Sequence, residues 1–156
     1  MAKEIERKFL VAGDYKQAAV SSSHIVQGYI GRTPSLTFRI RLRDERGYLT
    51  VKGRTDEAGM SRDEWEYEIP AADARELLAH SGGTIEKRRY MVPAGRHTFE
   101  VDEFFGANEG LTMAEVELSS PDETFERPAW LGDEVTGDKR YYNSQLLQHP
   151  YSAWKK

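Results

Sequence analysis

Charged residues recur at every second position in one short stretch of this sequence after another. The segment EIERKFLV (residues 4–11) puts Glu4, Glu6 and Lys8 on one side of an extended chain and Ile5, Arg7, Phe9 and Val11 on the other. LTFRIRLRD sets Arg39, Arg41 and Arg43 opposite Leu36, Phe38, Ile40 and Leu42. YLTVKG places Thr50 with Lys52, DEWEYEI aligns Glu64, Glu66 and Glu68, and EKRRY pairs Lys87 with Arg89. FEVDEF adds Glu100 and Asp102, and MAEVEL adds Glu115 and Glu117. Guanidinium and ammonium groups grip phosphate oxygens. Carboxylates hold hard cations such as Mg²⁺ or Mn²⁺. Gathered in one place, the two sets suit metal-assisted phosphoryl transfer to water.

The elements that would carry these rows are strands. Alternation covers residues 4–11, 24–32, 36–44, 48–53, 62–69, 84–92, 97–105 and 111–118. Turn signals separate them at Thr33-Pro34-Ser35, Glu45-Arg46-Gly47, Ala58-Gly59, Pro93-Ala94-Gly95 and Ala107-Asn108-Glu109-Gly110, and Ser21-Ser22-Ser23 reads as loop. Helical spacing predicts a helix over 71–80, stopped by Gly82-Gly83. A second runs over 138–148 from an Asp138 cap, with Tyr142 and Leu146 on one face and Pro150 as its stop. Short helices are expected near 13–19 and 122–126. Short connections between strands favour an antiparallel barrel or sandwich, with the whole chain, residues 1–156, as one domain.

A half-buried strand is ordinarily apolar inside and polar outside, which would make these rows solvent faces. Yet each row is nearly of one sign, and like charges side by side repel unless they face opposite charge or a bound ion. Two arrangements satisfy that. Rows of opposite sign could pair across strands on the outside, or the barrel could be inverted, with charges lining a wet bore. Spacing alone leaves both open.

Composition narrows the function. The net charge of −4 argues against a general nucleic-acid or membrane-surface binder. With no cysteine there is no disulfide, thiolate zinc site or thiol nucleophile, and the four histidines are scattered. No apolar run approaches the ~18–20 residues of a bilayer span, and the start of the chain lacks a signal-peptide core. These features point to a cytoplasmic protein.

Glu4-x-Glu6-x-Lys8, followed in order by Tyr29 in GYI, FRIR, LTVKG, SRDEWE, EKRRY, FEVDEF, AEVEL and the tail GDKRYYN, resembles the CYTH superfamily, the triphosphate tunnel metalloenzymes. The resemblance is to its short bacterial members that act on inorganic triphosphate. It implies a mainly β fold: an eight-stranded antiparallel barrel forming a tunnel, with a few flanking helices and a C-terminal helix. It implies hydrolysis of the terminal phosphate of a linear triphosphate with Mg²⁺ or Mn²⁺, inorganic tripolyphosphate first among the substrates. By resemblance Lys8, Arg39, Arg41, Lys52, Lys87 and Arg89 hold the triphosphate, and Glu4, Glu6, Glu115 and Glu117 hold metal. Glu64, Glu66, Glu100 and Asp102 complete that site, bind a second ion, or orient the arginines. Lys8 and Tyr29 resemble a pair that activates water. Lys139 and Arg140, at the start of the last helix, either touch phosphate or form a solvated turn, while Trp130, Tyr142 and Trp154 read as packing residues. Competing readings are a thiamine triphosphatase, a class IV adenylyl cyclase-like lyase, a non-catalytic polyphosphate-binding module, and a carrier barrel with Phe38, Ile40, Val51 and Val101 facing inward. The expected partner is the small-molecule triphosphate, with no nucleic acid or membrane, and a homodimer is left open.

Overall fold

The computed structural model describes residues 2–154. Within them run strands β1 (Ala2–Val11), β2 (Ser21–Arg32), β3 (Leu36–Arg43), β4 (Arg46–Gly53) and β5 (Ser61–Ile69). Helix α1 (Ala71–Leu78) follows, then β6 (Thr84–Ala94), β7 (His97–Phe104), β8 (Thr112–Glu117), the short β9 (Leu131–Glu134) and helix α2 (Asn143–Gln148). Every pairing is antiparallel, in the order β5-β4-β3-β2-β6-β7-β8-β1. Pairing of Ala2–Ile5 with residues 61–64 of β5 closes this sheet into an eight-stranded barrel. β9 is a ninth strand outside that ring. It takes the flank of β1 that β5 leaves free, with Phe9 opposite Glu134 and Val11 opposite Leu131.

The charged rows face inward, so the barrel is of the inverted kind. Phe38, Val51 and Val101 stand on the outer side with Ile40, which ends the reading as a carrier of apolar molecules. The outward apolar faces need cover. Tyr15, Phe125 and Trp130, from segments 12–20 and 119–130, pack over Phe9, Phe99, Val101 and Val116. On the other side α1 lies over β2, β3 and β4. Ala74 comes so close there that a Cβ on Gly47 would stand 2.7 Å from its own. Across β3, β4 and β5, Phe38, Val51 and Trp65 form a half-buried line.

Toward one end of the bore the rows turn apolar. Leu10 continues Glu4-Glu6-Lys8, Ile85 continues Arg89-Lys87, Phe104 continues Glu100-Asp102, and Met113 continues Glu117-Glu115. The C-terminal segment packs across them, with Tyr141 and Leu146 buried against Ile85, Phe104, Leu111 and Met113. Among the described residues no helix is long and apolar enough to cross a membrane.

Local expectations differ in five places. Ser21-Ser22-Ser23 is strand, because its backbone completes the ladder opposite Arg89, Tyr90 and Met91. The β3–β4 turn is Asp44-Glu45, with Asp44 at φ 52° and its carboxylate accepting from the His24 amide. Residues 122–126 form no helix, and the expected helix near 13–19 is a 3-10 turn at Lys16–Ala18. The helix over 138–148 breaks at Tyr142, which is extended (φ −70°, ψ 136°), between a 3-10 turn at Lys139–Tyr141 and α2. A continuous helix would carry Tyr141 and Leu146 on different sides; the break lets both enter the apolar end.

Candidate active site

Among the described residues twenty line the charged bore, and its walls differ in sign. β3 contributes Arg39, Arg41 and Arg43. Counting around the barrel, β8, with Glu115 and Glu117, stands four strands away in either direction and so faces β3 across the bore. β1 places Glu6 beside Glu117 and Lys8 beside Glu115, and β7 places Glu100 beside Glu115. Directly opposed carboxylates of this kind are unfavourable without a cation between them.

Most of the cations are held by named acceptors. Asp102, 2 % exposed, lies beneath the bore surface. It accepts from Lys87 Nζ at 2.8 Å and from Arg89 through Nε at 2.8 Å and Nη2 at 3.0 Å, a fork of the strong bidentate type. Its oxygens are spoken for, so Asp102 orients Lys87 and Arg89. Glu100 meets the same Arg89 at 3.3 Å. Lys52 reaches Glu4 at 3.2 Å and Glu64 at 3.5 Å, and Arg62 Nε reaches Glu4 at 3.2 Å. Arg41 Nε donates to Gln27 at 2.8 Å, and Arg39 reaches only Thr50, at 3.3 Å. The Arg39 Nε is buried with no partner, a donor left for an anion in the bore. Arg43 lines the bore and donates to the Tyr48 hydroxyl at 2.9 Å.

The electrostatics follow from crowding and burial. Burial and the neighbouring Glu115 carboxylate push Glu6 up to about 8. Burial and Glu4 raise Glu117. For Glu4, burial is outweighed by Lys52 and Arg62, which hold it down at about 2. Among the cations, burial lowers Lys87 to about 7 against the opposing pull of Asp102, and burial with Arg39 and Arg62 lowers Lys52 to about 8. Burial thus holds Glu6 and Lys87 short of full charge, which a metal ion and a polyanion would respectively relieve, while Lys8 holds Glu115 down against burial and Asp102 holds Arg89 up against it.

Whether the donor set fits a divalent ion can be judged from its chemistry. Among the described residues no three acidic side chains form a ready-made cage. Mg²⁺ seldom uses one; it binds through one or two carboxylates and completes its shell with water and substrate phosphates. Glu6, Glu115 and Glu117, adjacent and all on the bore, supply oxygen donors of that kind, with Glu4 next to them on β1. The residues fit the ion.

Among the described residues no hydrogen bond joins Lys8 and Tyr29. Both line the bore, but β2 stands four strands from β1, on the facing wall. The Lys8 ammonium lies 3.5 Å from Glu6, 3.7 Å from Glu115 and 5.3 Å from the centre of the Tyr142 ring. The two residues named together in the sequence are thus carried on facing strands of one bore. Glu66 lines the bore with Glu64 from β5. Arg140 turns out to its own Asp138 at 2.7 Å, and Lys139 borders an outer hollow and not the bore. Trp130 and Trp154 are packing residues, whereas Tyr142 lines the bore.

Four contributors escape the sequence pattern as read. Arg62 shares the parity of Glu64 and Glu66, so the row could have been extended back by one pleat to find it. Gln27 shares the parity of Tyr29 but is neutral. Tyr142 and Asn143 reach the bore only because the chain breaks between two helical pieces.

Residues 2–147 match the family model described as CYTH domain. A protein from Acetivibrio thermocellus named inorganic triphosphatase is 46 % identical over 157 residues, covering 99 % of each chain. Another of that name, from Nitrosomonas europaea, is 39 % identical over 149 residues, covering 92 % of this chain and 95 % of its own. A crystal structure of an inorganic triphosphatase superimposes with a TM-score of 0.67 at 35 % identity, covering 91 % of this chain and 95 % of that one.

Proposed function

The chain belongs to the CYTH domain family, and from that premise we propose that it is an inorganic triphosphatase: it cleaves tripolyphosphate with water to pyrophosphate and phosphate. The observation that carries this is the two-signed bore, a row of arginines facing a row of glutamates across a barrel. The identity to two triphosphatases over nearly the full chain supports it. No neutral site could take a linear polyanion out of water; several cations must replace its hydration.

Lys8, Arg39, Arg41, Lys52, Lys87 and Arg89 bind the phosphate oxygens. Arg39, with a free buried Nε, and Arg41, held only by an amide, keep their charge most available. Glu4, Glu6, Glu115 and Glu117 are assigned to Mg²⁺ or Mn²⁺, and Glu64, Glu66 and Glu100 extend the same acidic surface. When bound, such an ion supplies Lewis-acid stabilisation of charge on the phosphoryl oxygens. Lys8 and Tyr29 approach the reacting end from opposite walls, Lys8 as a fixed positive charge and Tyr29 as a hydroxyl that orients. Alignment of the polyanion between the walls provides the positioning on which phosphoryl transfer chiefly depends.

Phosphate release is to be measured from tripolyphosphate, ATP, thiamine triphosphate and pyrophosphate in parallel, with Mg²⁺, with Mn²⁺ and with excess chelator. Metal-dependent release from tripolyphosphate above the others is expected. Faster release from an organic triphosphate would move the substrate, and undiminished release in chelator would remove the metal.

A further inference from the structure

One acceptor in the bore comes from no strand. Asn143, the first residue of α2, accepts through Oδ1 from Lys87 Nζ at 3.0 Å and from Gln27 Nε2 at 3.0 Å. Gln27 is fully buried, and its Oε1 accepts from Arg41 Nε at 2.8 Å. A continuous path of hydrogen bonds therefore runs from Arg41 on β3 through Gln27 on β2 and Asn143 to Lys87 on β6. The amide orientations are dictated by the partners. Arginine and lysine can only donate, so Gln27 must show its oxygen to Arg41 and its nitrogen to Asn143, which must then show its oxygen to both donors.

The choice of amides has an electrostatic consequence. Asp102 orients Lys87 and Arg89 with a full negative charge, part of which an incoming phosphate must overcome. Asn143 and Gln27 orient Lys87 and Arg41 without neutralising them. Asn143 Nδ2 has no partner among the described residues, and Asn143 lines the bore. Leu146, one turn further along α2, is fully buried in the apolar end of the barrel. Seating of the C-terminal segment and aiming of the phosphate wall thus depend on the same six-residue helix.

We propose that Asn143 is a positioning residue for the reaction: its carbonyl sets Lys87 directly and Arg41 through Gln27, so that the phosphate-binding wall is complete only when the C-terminal segment is docked. This rests on the triphosphatase reading, and its test separates the two. Binding of tripolyphosphate in chelator is measured by calorimetry, and turnover with metal separately, for the wild type, Asn143→Ala, Gln27→Ala and the double variant. Val92→Ala, in the outer core on the far side of the β6 wall, serves as a control for lost stability alone. Each single variant is expected to weaken binding about 10-fold, as loss of a supporting hydrogen bond to a ligating group does. The double variant is expected to be no weaker than the worse single one, because the two residues act in series. Val92→Ala is expected to lower Tm and leave binding within about 2-fold, because it removes only outer packing. Binding by Asn143→Ala within 2-fold of wild type, full additivity in the double variant, or equal loss in Val92→Ala at matched Tm would each overturn the proposal. A wild type that binds tripolyphosphate with this coupling but never cleaves it would sink the triphosphatase reading and leave the positioning role standing. A wild type that neither binds nor cleaves it would sink both, and one that cleaves it with metal but does not bind it in chelator would overturn the positioning proposal alone.

Discussion

Glu4 illustrates how much one carboxylate can hold. It faces Lys52 at 3.2 Å and Arg62 at 3.2 Å, so it restrains two cations while standing beside the residues assigned to metal. Glu4→Gln should reduce metal-dependent turnover on the order of 100-fold, the scale of losing one preorganised electrostatic group. Binding of tripolyphosphate in chelator should be unchanged or tighter, since one negative charge leaves the bore; steady-state kinetics and calorimetry on one preparation check both. Asp102 is the opposite case, a buried anion whose loss leaves Lys87 with the neutral Asn143 and Arg89 with the half-exposed Glu100. Asp102→Asn should cost about 3–5 kcal/mol, the penalty for breaking a buried ion pair from one side. Urea unfolding of the metal-free protein measures it.

At the scale of elements, the C-terminal segment is the part that joins packing to chemistry. Leu146→Ala, at a position of 0 % exposure, should destabilise by about 2–5 kcal/mol through the cavity it leaves. Thermal unfolding should show it. The strands were legible because their side chains repeat with period two and because Gly, Pro, Asp and Asn punctuate them. Which face turned inward was not, since an outward salt-bridged row and an inward bore have the same spacing. Resemblance supplied that direction, and the structure agrees with it. Arg62 was available to the same alternation that identified Glu64. Tyr142 and Asn143 were not, because their place depends on a break imposed by burying Tyr141 and Leu146 together, which no local pattern records. That Lys8 and Tyr29 stand on facing strands was hidden for a related reason: sequence order gives the strands but not which of them face each other across a ring.

At the scale of the whole molecule, occupation of the bore changes the charge of two of its lysines. Burial leaves Lys87 at about 7 and Lys52 at about 8, both below an ordinary lysine. An anion beside them favours the charged form, so binding raises both values. Between the free and bound values the protein must take up protons. Tripolyphosphate binding in chelator near pH 8 should therefore draw protons from buffer, and the observed calorimetric enthalpy should depend on the buffer's ionisation enthalpy. With Mg²⁺ the net uptake should shrink, because an ion that favours ionised Glu6, at about 8 when free, releases a proton. Buffer-independent enthalpies in both conditions would contradict this account.

β1 has a consequence in time. The row Glu4-Glu6-Lys8 is synthesised before every strand it pairs with, because its neighbours are β5, β8 and β9 and its Lys8 carbonyl accepts from the Val135 amide. β5 can cover part of one flank of β1 once it emerges, but the other flank stays open until β8 does. A nascent chain arrested before residue 112 therefore carries the arginines and lysines of the bore without Glu115 and Glu117, and its ring keeps a gap where β8 belongs.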